Sequence, residues 1–375
     1  MRSKRLWVFV SLAVPVVFLL GAGAFWMVRS EGGVESLSVL GKGIAKLEGI
    51  QWLLSRLDIG QPDRQETVVQ LLKRGSALEE DGRYQEALQA YEEALEISPN
   101  ESTVYLGLAS AHEGLGEAEQ ALAQLEKAAE LAPEDANIQR HLGRLQCISG
   151  DYETCIKTLQ KAVEMEPDDA WGRYWLGLAY QHGAEDGLDK SLAEYQEALR
   201  VDPRLGKAHL ALGLLLRDMP GQQVLAIEEV KKALDAALEV GDEELAAKAH
   251  AELASLYYAR DEYDRCIEQW KQVLETTPDD ADAHRRLGLC YAMRRGTGDL
   301  ELAVQEMETA LALDFDHMDA YYFYLGQHYA TQKDYGRAIF AWDQFLRFSD
   351  SEELNAEVRG WIRSYQEALT EEKEP

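Results

Sequence analysis

Residues 82–99 read Gly82-Arg-Tyr84-Gln-Glu-Ala87-Leu-Gln-Ala-Tyr91-Glu-Glu-Ala94-Leu95-Glu-Ile-Ser-Pro99. Ala87, Tyr91, Ala94 and Leu95 stand at i, i+4, i+7 and i+8, one face of a helix, while Glu86, Gln89, Glu92, Glu93 and Glu96 fill the other. Pro99 closes the helix, because proline has no N–H and turns the residue before it away from the helical region. Upstream, Leu71, Gly75 and Leu78 mark a second amphipathic helix, with Asp81-Gly82 as the turn. The stretch is a helical hairpin, with small residues, Gly75 and Ala87, where the two helices must come close.

The pattern returns every 34 residues. Ala121, Leu125, Ala128 and Pro133 repeat it, with Leu108 and Gly116 in register. It comes again as Leu142, Gly143, Gly150, Tyr152, Cys155, Leu159, Ala162 and Pro167. A fixed period of this length marks a solenoid in which each unit buries its apolar face on its neighbours. These landmarks resemble the tetratricopeptide repeat (TPR) family, over about three quarters of the chain. The resemblance implies an all-α superhelical solenoid of about eight hairpins: 68–101, 102–135, 136–169, 170–205, 206–246, 247–280, 281–317 and 319–352. The fourth carries two extra residues in its turn and the seventh three, around Gly296-Thr297-Gly298. In the fifth, Met219-Pro220-Gly221 is expected to break the hairpin, and Gly241 replaces the closing proline; this marks either a bend between two sub-arrays or drift. Residues 353–375 read as a capping helix and tail, since an array needs a polar outer end.

Ahead of the array, residues 1–6 are basic and Trp7–Val28 runs without a charge. At about 1.5 Å per residue that run reaches across a hydrocarbon core of about 30 Å. Trp7 and Trp26 stand at its ends, where aromatic rings prefer the interface. The basic residues precede the span, so the expectation is a single-pass transmembrane helix over 1–28, its N-terminus cytoplasmic and the array extracytoplasmic. A signal peptide cleaved near Ala22-Gly23-Ala24 is the rival, with the array extracytoplasmic again. Residues 29–67 form a Gly- and Ser-rich linker followed by an amphipathic stretch, Ile44–Leu57, that caps the first repeat or lies on the membrane surface.

The chain has 38 basic and 67 acidic residues, a net charge of −29. Such a surface repels phosphate backbones, so nucleic acid is not an expected partner. No nucleotide-binding glycine loop, nucleophile elbow, HExxH or CxxC occurs, so neither enzyme activity nor a cofactor is expected. His209, His250 and His284 recur at the fourth position of three successive repeats. That position holds a large core-facing residue in the family. A metal ladder fails on distance, because packed helices stand about 8–10 Å apart whereas zinc needs ligands near about 2 Å. Cys155 and Cys266 take the small-residue position of Ala87 and Ala121. Cys266 and Cys290, on adjacent helices of neighbouring repeats, are the better candidates for a disulfide.

By family analogy, the second, fifth, ninth and twelfth residues of each repeat face a concave peptide-binding groove. In the third repeat these include Asn137, Arg140 and Arg144; in the fourth, Trp171, Tyr174, Leu178 and Gln181. The fifth contributes Lys207, Leu210, Leu214 and Arg217; the seventh Asp282, Arg285 and Leu289; the eighth Phe323 and Gln327. Five basic residues against one acidic suit an extended protein segment with an acidic stretch or a C-terminal carboxylate. Some family members clamp such a carboxylate. Arg140, Arg144 and Lys207 occupy three of those places, while Trp175 and Ala211 stand where Asn and a basic residue are expected. The expected function is a membrane-anchored scaffold for protein or peptide partners in an envelope complex. The alternatives are a secreted or periplasmic chaperone and an enzyme subunit.

Overall fold

The computed structural model describes residues 64–314 and 318–371. Within them the chain is an all-α, repeat-built solenoid of seventeen helices with no strand. The expected transmembrane helix, the linker and the 44–57 stretch lie outside the described residues. Among the described residues no helix is long and apolar enough to cross a membrane.

The chain forms two compact units, Met1–Pro99 and Asn100–Pro375. In the first, α1 (Arg64–Glu80) and α2 (Tyr84–Ile97) make one hairpin. Ala87, Ala90 and Ala94 of α2 are wholly buried, and Tyr91 nearly so. Gly75 is required here: a Cβ on it would lie 2.3 Å from the Tyr91 ring. The turn residue Gly82 has φ +72°, a left-handed conformation that L side chains resist.

The second unit begins with α3 (Ser102–Gly114), α4 (Ala118–Leu131), α5 (Ala136–Ile148) and α6 (Tyr152–Met165). It continues through α7 (Ala170–Gly183), α8 (Gly187–Val201), α9 (Gly206–Arg217) and α10 (Gln223–Val240). Next come α11 (Glu243–Tyr258), α12 (Tyr263–Thr276), α13 (Ala281–Arg294) and α14 (Asp299–Leu313). The last are α15 (Met318–Thr331), α16 (Tyr335–Phe348) and α17 (Glu352–Glu371). Odd and even helices pair as hairpins, and each even helix from α4 to α14 packs on the odd helix that follows. Chain direction is set locally. Asp135, Asp169 and Asp280, each two residues after a proline, cap the helices they precede by accepting from the N–H of Ile138, Trp171 and Ala283.

The fifth repeat departs from expectation. Residues 218–222 lengthen the turn without breaking the hairpin, and Leu212, Leu215 and Leu216 still share a core with Ala226, Ile227 and Val230. Gly241, at φ +72°, does the closing work of the missing proline, so α10 runs to eighteen residues. The core containing this repeat runs from Tyr195 to Ala303. The divergence is therefore local, with no gap in the packing on either side.

All four cysteines are in disulfides. Cys266–Cys290 joins α12 to α13, and Cys147–Cys155 closes the α5–α6 turn, a pairing the sequence reading did not anticipate. The terminal helix α17 buries Val358 and Ile362 against Ala338, Trp342 and Phe345 of α16. Its remaining surface is mostly polar and exposed, as an end cap requires.

Candidate functional site

Helices α7, α9 and α11 bring together a hollow of about 280 Å³. Its walls are Tyr174 and Leu178 of α7, then Leu210, Ala211 and Leu214 of α9, then Leu245 of α11. Lys207, Asp242, Glu244 and Lys248 form the rim. The expected groove positions of the fourth and fifth repeats thus converge. Tyr174 is anchored among Trp171, Trp175 and Tyr195, at ring-centre distances of 5.8, 5.2 and 6.2 Å. Burial pushes its phenol pKa upward, so it stays a neutral hydroxyl. Trp171 is partly exposed, and the Lys207 ammonium sits 5.7 Å from its ring centre.

The sequence reading missed the α11 residues because it started the sixth repeat at 247. The helix starts at Glu243, capped by Asp242, whose carboxylate accepts from the N–H of Leu245 at 2.9 Å. The signal was present as Gly241-Asp242, a helix stop followed at once by a helix start.

The arginines among the expected groove residues are paired with carboxylates. Arg140 pairs with Asp169 at 3.3 Å and also donates to Asn137; Arg144 pairs with Glu113. Both side chains are only about a quarter exposed, because neighbouring repeats supply the carboxylates. Arg217 pairs with Glu252 at 2.8 Å and with Asp218 at 2.9 Å, and Arg285 with Asp282. Lys207, by contrast, is set against the Trp171 ring. Between Arg140 and Arg144, His141 is pushed down to about 4, chiefly by burial and then by the two guanidinium groups. It is therefore neutral at pH 7.

Other expected groove residues lie outside this hollow. Gln181 accepts from the Tyr195 hydroxyl at 2.9 Å. Phe323 packs on Phe345 and Trp361, within the core that α17 completes. Gln327 lines a separate hollow of about 700 Å³ with Trp342, Trp361 and Tyr365, and Leu289 is half-buried on α13. His209 is buried while His250 and His284 are only partly so, and His209 and His284 each lie within hydrogen-bonding distance of a carboxylate. Among the described residues, no group of three or more His, Cys, Asp or Glu side chains is placed to hold a metal ion.

Tetratricopeptide repeat family models match residues 78–145 and 294–347, and a TPR repeat model matches 143–183 and 254–294. No curated protein sequence matches the chain. Among solved structures, the Cut9–Hcn1 hetero-tetramer of the APC/C superposes with a TM-score of 0.55 at 17% identity, over 66% of this chain and 46% of that one. TTC0263, a thermophilic TPR protein of Thermus thermophilus, gives 0.42 at 26% identity, over 51% of this chain and 99% of that one. PilF of Pseudomonas aeruginosa gives 0.46 at 17% identity, over 57% and 94%. The chain therefore contains tetratricopeptide repeats, over residues 78–183 and 254–347 by family match.

Proposed function

We propose that this protein is a membrane-anchored scaffold that holds protein partners by an extended segment, with one apolar side chain of that segment seated in the α7–α9–α11 hollow. The observation that carries this reading is the convergence of Tyr174, Leu178, Leu210 and Leu214 on one apolar wall with a charged rim. Stacked hairpins hold those residues in place before the partner arrives, so association costs little ordering entropy. The paired state of Arg140, Arg144, Arg217 and Arg285 argues for an apolar anchor over a carboxylate clamp, since a carboxylate would have to displace partners already bound. The anchor is the uncharged run Trp7–Val28, with the repeats on the extracytoplasmic side. Two disulfides support that side, because oxidising compartments are where disulfides persist. Anchoring raises the effective concentration of the scaffold near membrane-bound partners and suits assembly of an envelope complex.

The test is proximity labelling from native membranes, comparing the full-length protein with its Lys207→Glu and Leu214→Ser variants, each first shown to melt as the parent does. A small set of envelope proteins, recovered with the parent and lost with both variants, is the expected result. Recovery of many unrelated clients by all three proteins would overturn the scaffold reading in favour of a chaperone.

A further inference from the structure

At the fourth position of the third, fourth, fifth and seventh repeats, a polar side chain reaches back to the proline that closed the repeat before it. Gln139 donates to the Pro133 carbonyl at 3.2 Å. Arg173 makes two links: its Nε donates to the Pro167 carbonyl at 2.8 Å, and its Nη1 to the Glu194 carboxylate at 3.0 Å. His209 stands in the same place. Its Nε2 lies 3.1 Å from the Pro203 carbonyl oxygen, and its Nδ1 lies 2.6 Å from the Glu229 carboxylate. His284 repeats the geometry, at 2.9 Å from the Pro278 carbonyl and 2.7 Å from Glu306. His250 differs: its Nδ1 meets the Gln269 amide oxygen at 2.8 Å, and the repeat before it closes on Gly241 instead of proline.

A carbonyl and a carboxylate both accept hydrogen bonds. An imidazole can face the two at once only with a hydrogen on each nitrogen, as the imidazolium cation. We propose that His209 and His284 are proton-dependent fasteners between consecutive repeats, doing when protonated what Arg173 does at every pH. On losing the proton, each ring sets a bare lone pair against an oxygen, and one of its two links fails. His209 is 7% exposed and, with Glu229, lines a hollow of about 660 Å³. The charged groups lining its surroundings are Arg200 and Arg204 from α8 and the loop after it, and Glu229, Lys232, Asp235 and Glu239 from α10. Arg204 is held by Glu239 at 2.8 Å, and Lys232 by Glu229 at 2.7 Å, which leaves the second oxygen of Glu229 to His209. Around His284 the facing carboxylate is Glu306 of α14, and the neighbouring Arg285 is already bound to Asp282.

The sign follows from the geometry. Both nitrogens of each ring face an acceptor, so the two links of a ring are complete only while it carries both hydrogens, and one is lost when it carries one. His209 lies on α9 with Lys207, Leu210 and Leu214, so a loosened junction also disturbs the hollow. That consequence rests on the proposed function; the fastener itself does not.

The test uses full-length protein labelled with ring-15N histidine, with signals assigned from His209→Gln and His284→Gln variants. At about pH 6, the lower part of the range over which histidine ordinarily titrates, His209 and His284 are expected to show both ring nitrogens protonated. On raising the pH to about 8, amide exchange over residues 203–215, corrected for its intrinsic pH dependence, is expected to quicken about tenfold. His209→Arg should abolish that change. A single ring N–H on both residues at the lower pH would overturn the proposal. So would the same pH response in the parent and in His209→Arg. If His209→Arg does not fold, the ring signals of the parent decide.

Discussion

The tightest constraint on a single residue is the small position at the hairpin crossing. Gly75 faces the ring of Tyr91, and Gly326 faces Trp342, where a Cβ would lie 2.2 Å from the indole nitrogen. In each case an aromatic residue on the second helix fills the space that glycine leaves. The ring of Tyr91 is buried and cannot simply swing away. Gly75→Ala is therefore expected to cost about 1–3 kcal/mol by overpacking, despite the better helix propensity of alanine. Urea denaturation of the two proteins checks this, and a difference under about 0.5 kcal/mol, the level of an ordinary surface change, would mean that the ring relaxes freely. The close approach was legible in the sequence as the small residues Gly75 and Ala87 on either side of Asp81-Gly82, because it depends only on residues close along the chain; that the Tyr91 ring fills the space beside Gly75 was not. The pairing of Arg140 with Asp169 and of Arg144 with Glu113 was not. Those partners are 29 and 31 residues away and meet only when neighbouring repeats stack.

At the level of elements, the turns do much of the specifying. The α13–α14 turn is held by Asp299, 2% exposed, which accepts from Arg294 at 2.5 Å and from the Gly296 N–H at 2.6 Å. Arg294 also reaches Asp264 of α12 at 2.9 Å, tying this turn to the sixth repeat. Hydrogen bonding from Arg294 outweighs burial and holds the Asp299 carboxyl below its usual range. A carboxyl with a depressed pKa stabilises the fold above its unfolded value, and that stability is lost as pH falls through the folded value. Asp299→Asn should therefore cost about 2–3 kcal/mol at neutral pH, and the gap from the parent should close in strong acid. Thermal melts of both proteins across the acid range provide the check; a constant gap would show that the charge is irrelevant. Cys266–Cys290 acts between the same two repeats. Closing its loop is expected to add about 3 kcal/mol by restricting the unfolded chain. Reduction, or Cys290→Ala, should lower the unfolding midpoint accordingly, and an unchanged midpoint would reduce the bridge to a bystander.

For the whole molecule, the issue is how a chain of similar hairpins ends. Each hairpin leaves an apolar face for the next, and α17 covers the last one with Val358, Ile362 and Trp361. Deleting the chain from residue 352 onward should expose Trp342 and Phe345. Loss of amide protection is then expected in α15 and α16 while α7 to α12 keep theirs, since repeats are stabilised by their nearest neighbours. Uniform loss along the second unit would instead mean that it unfolds as one cooperative body. The sequence by itself determined the helical hairpins, their period of 34 and the place of most turns. These are written in short-range signals: a 3.6-residue apolar rhythm, a left-handed glycine and a closing proline. Only the tertiary structure decided which charges neutralise one another, that Cys147 bridges to Cys155, and that α11 joins α7 and α9 around a hollow. Those outcomes depend on the distances between side chains of stacked helices, which a one-dimensional pattern does not encode.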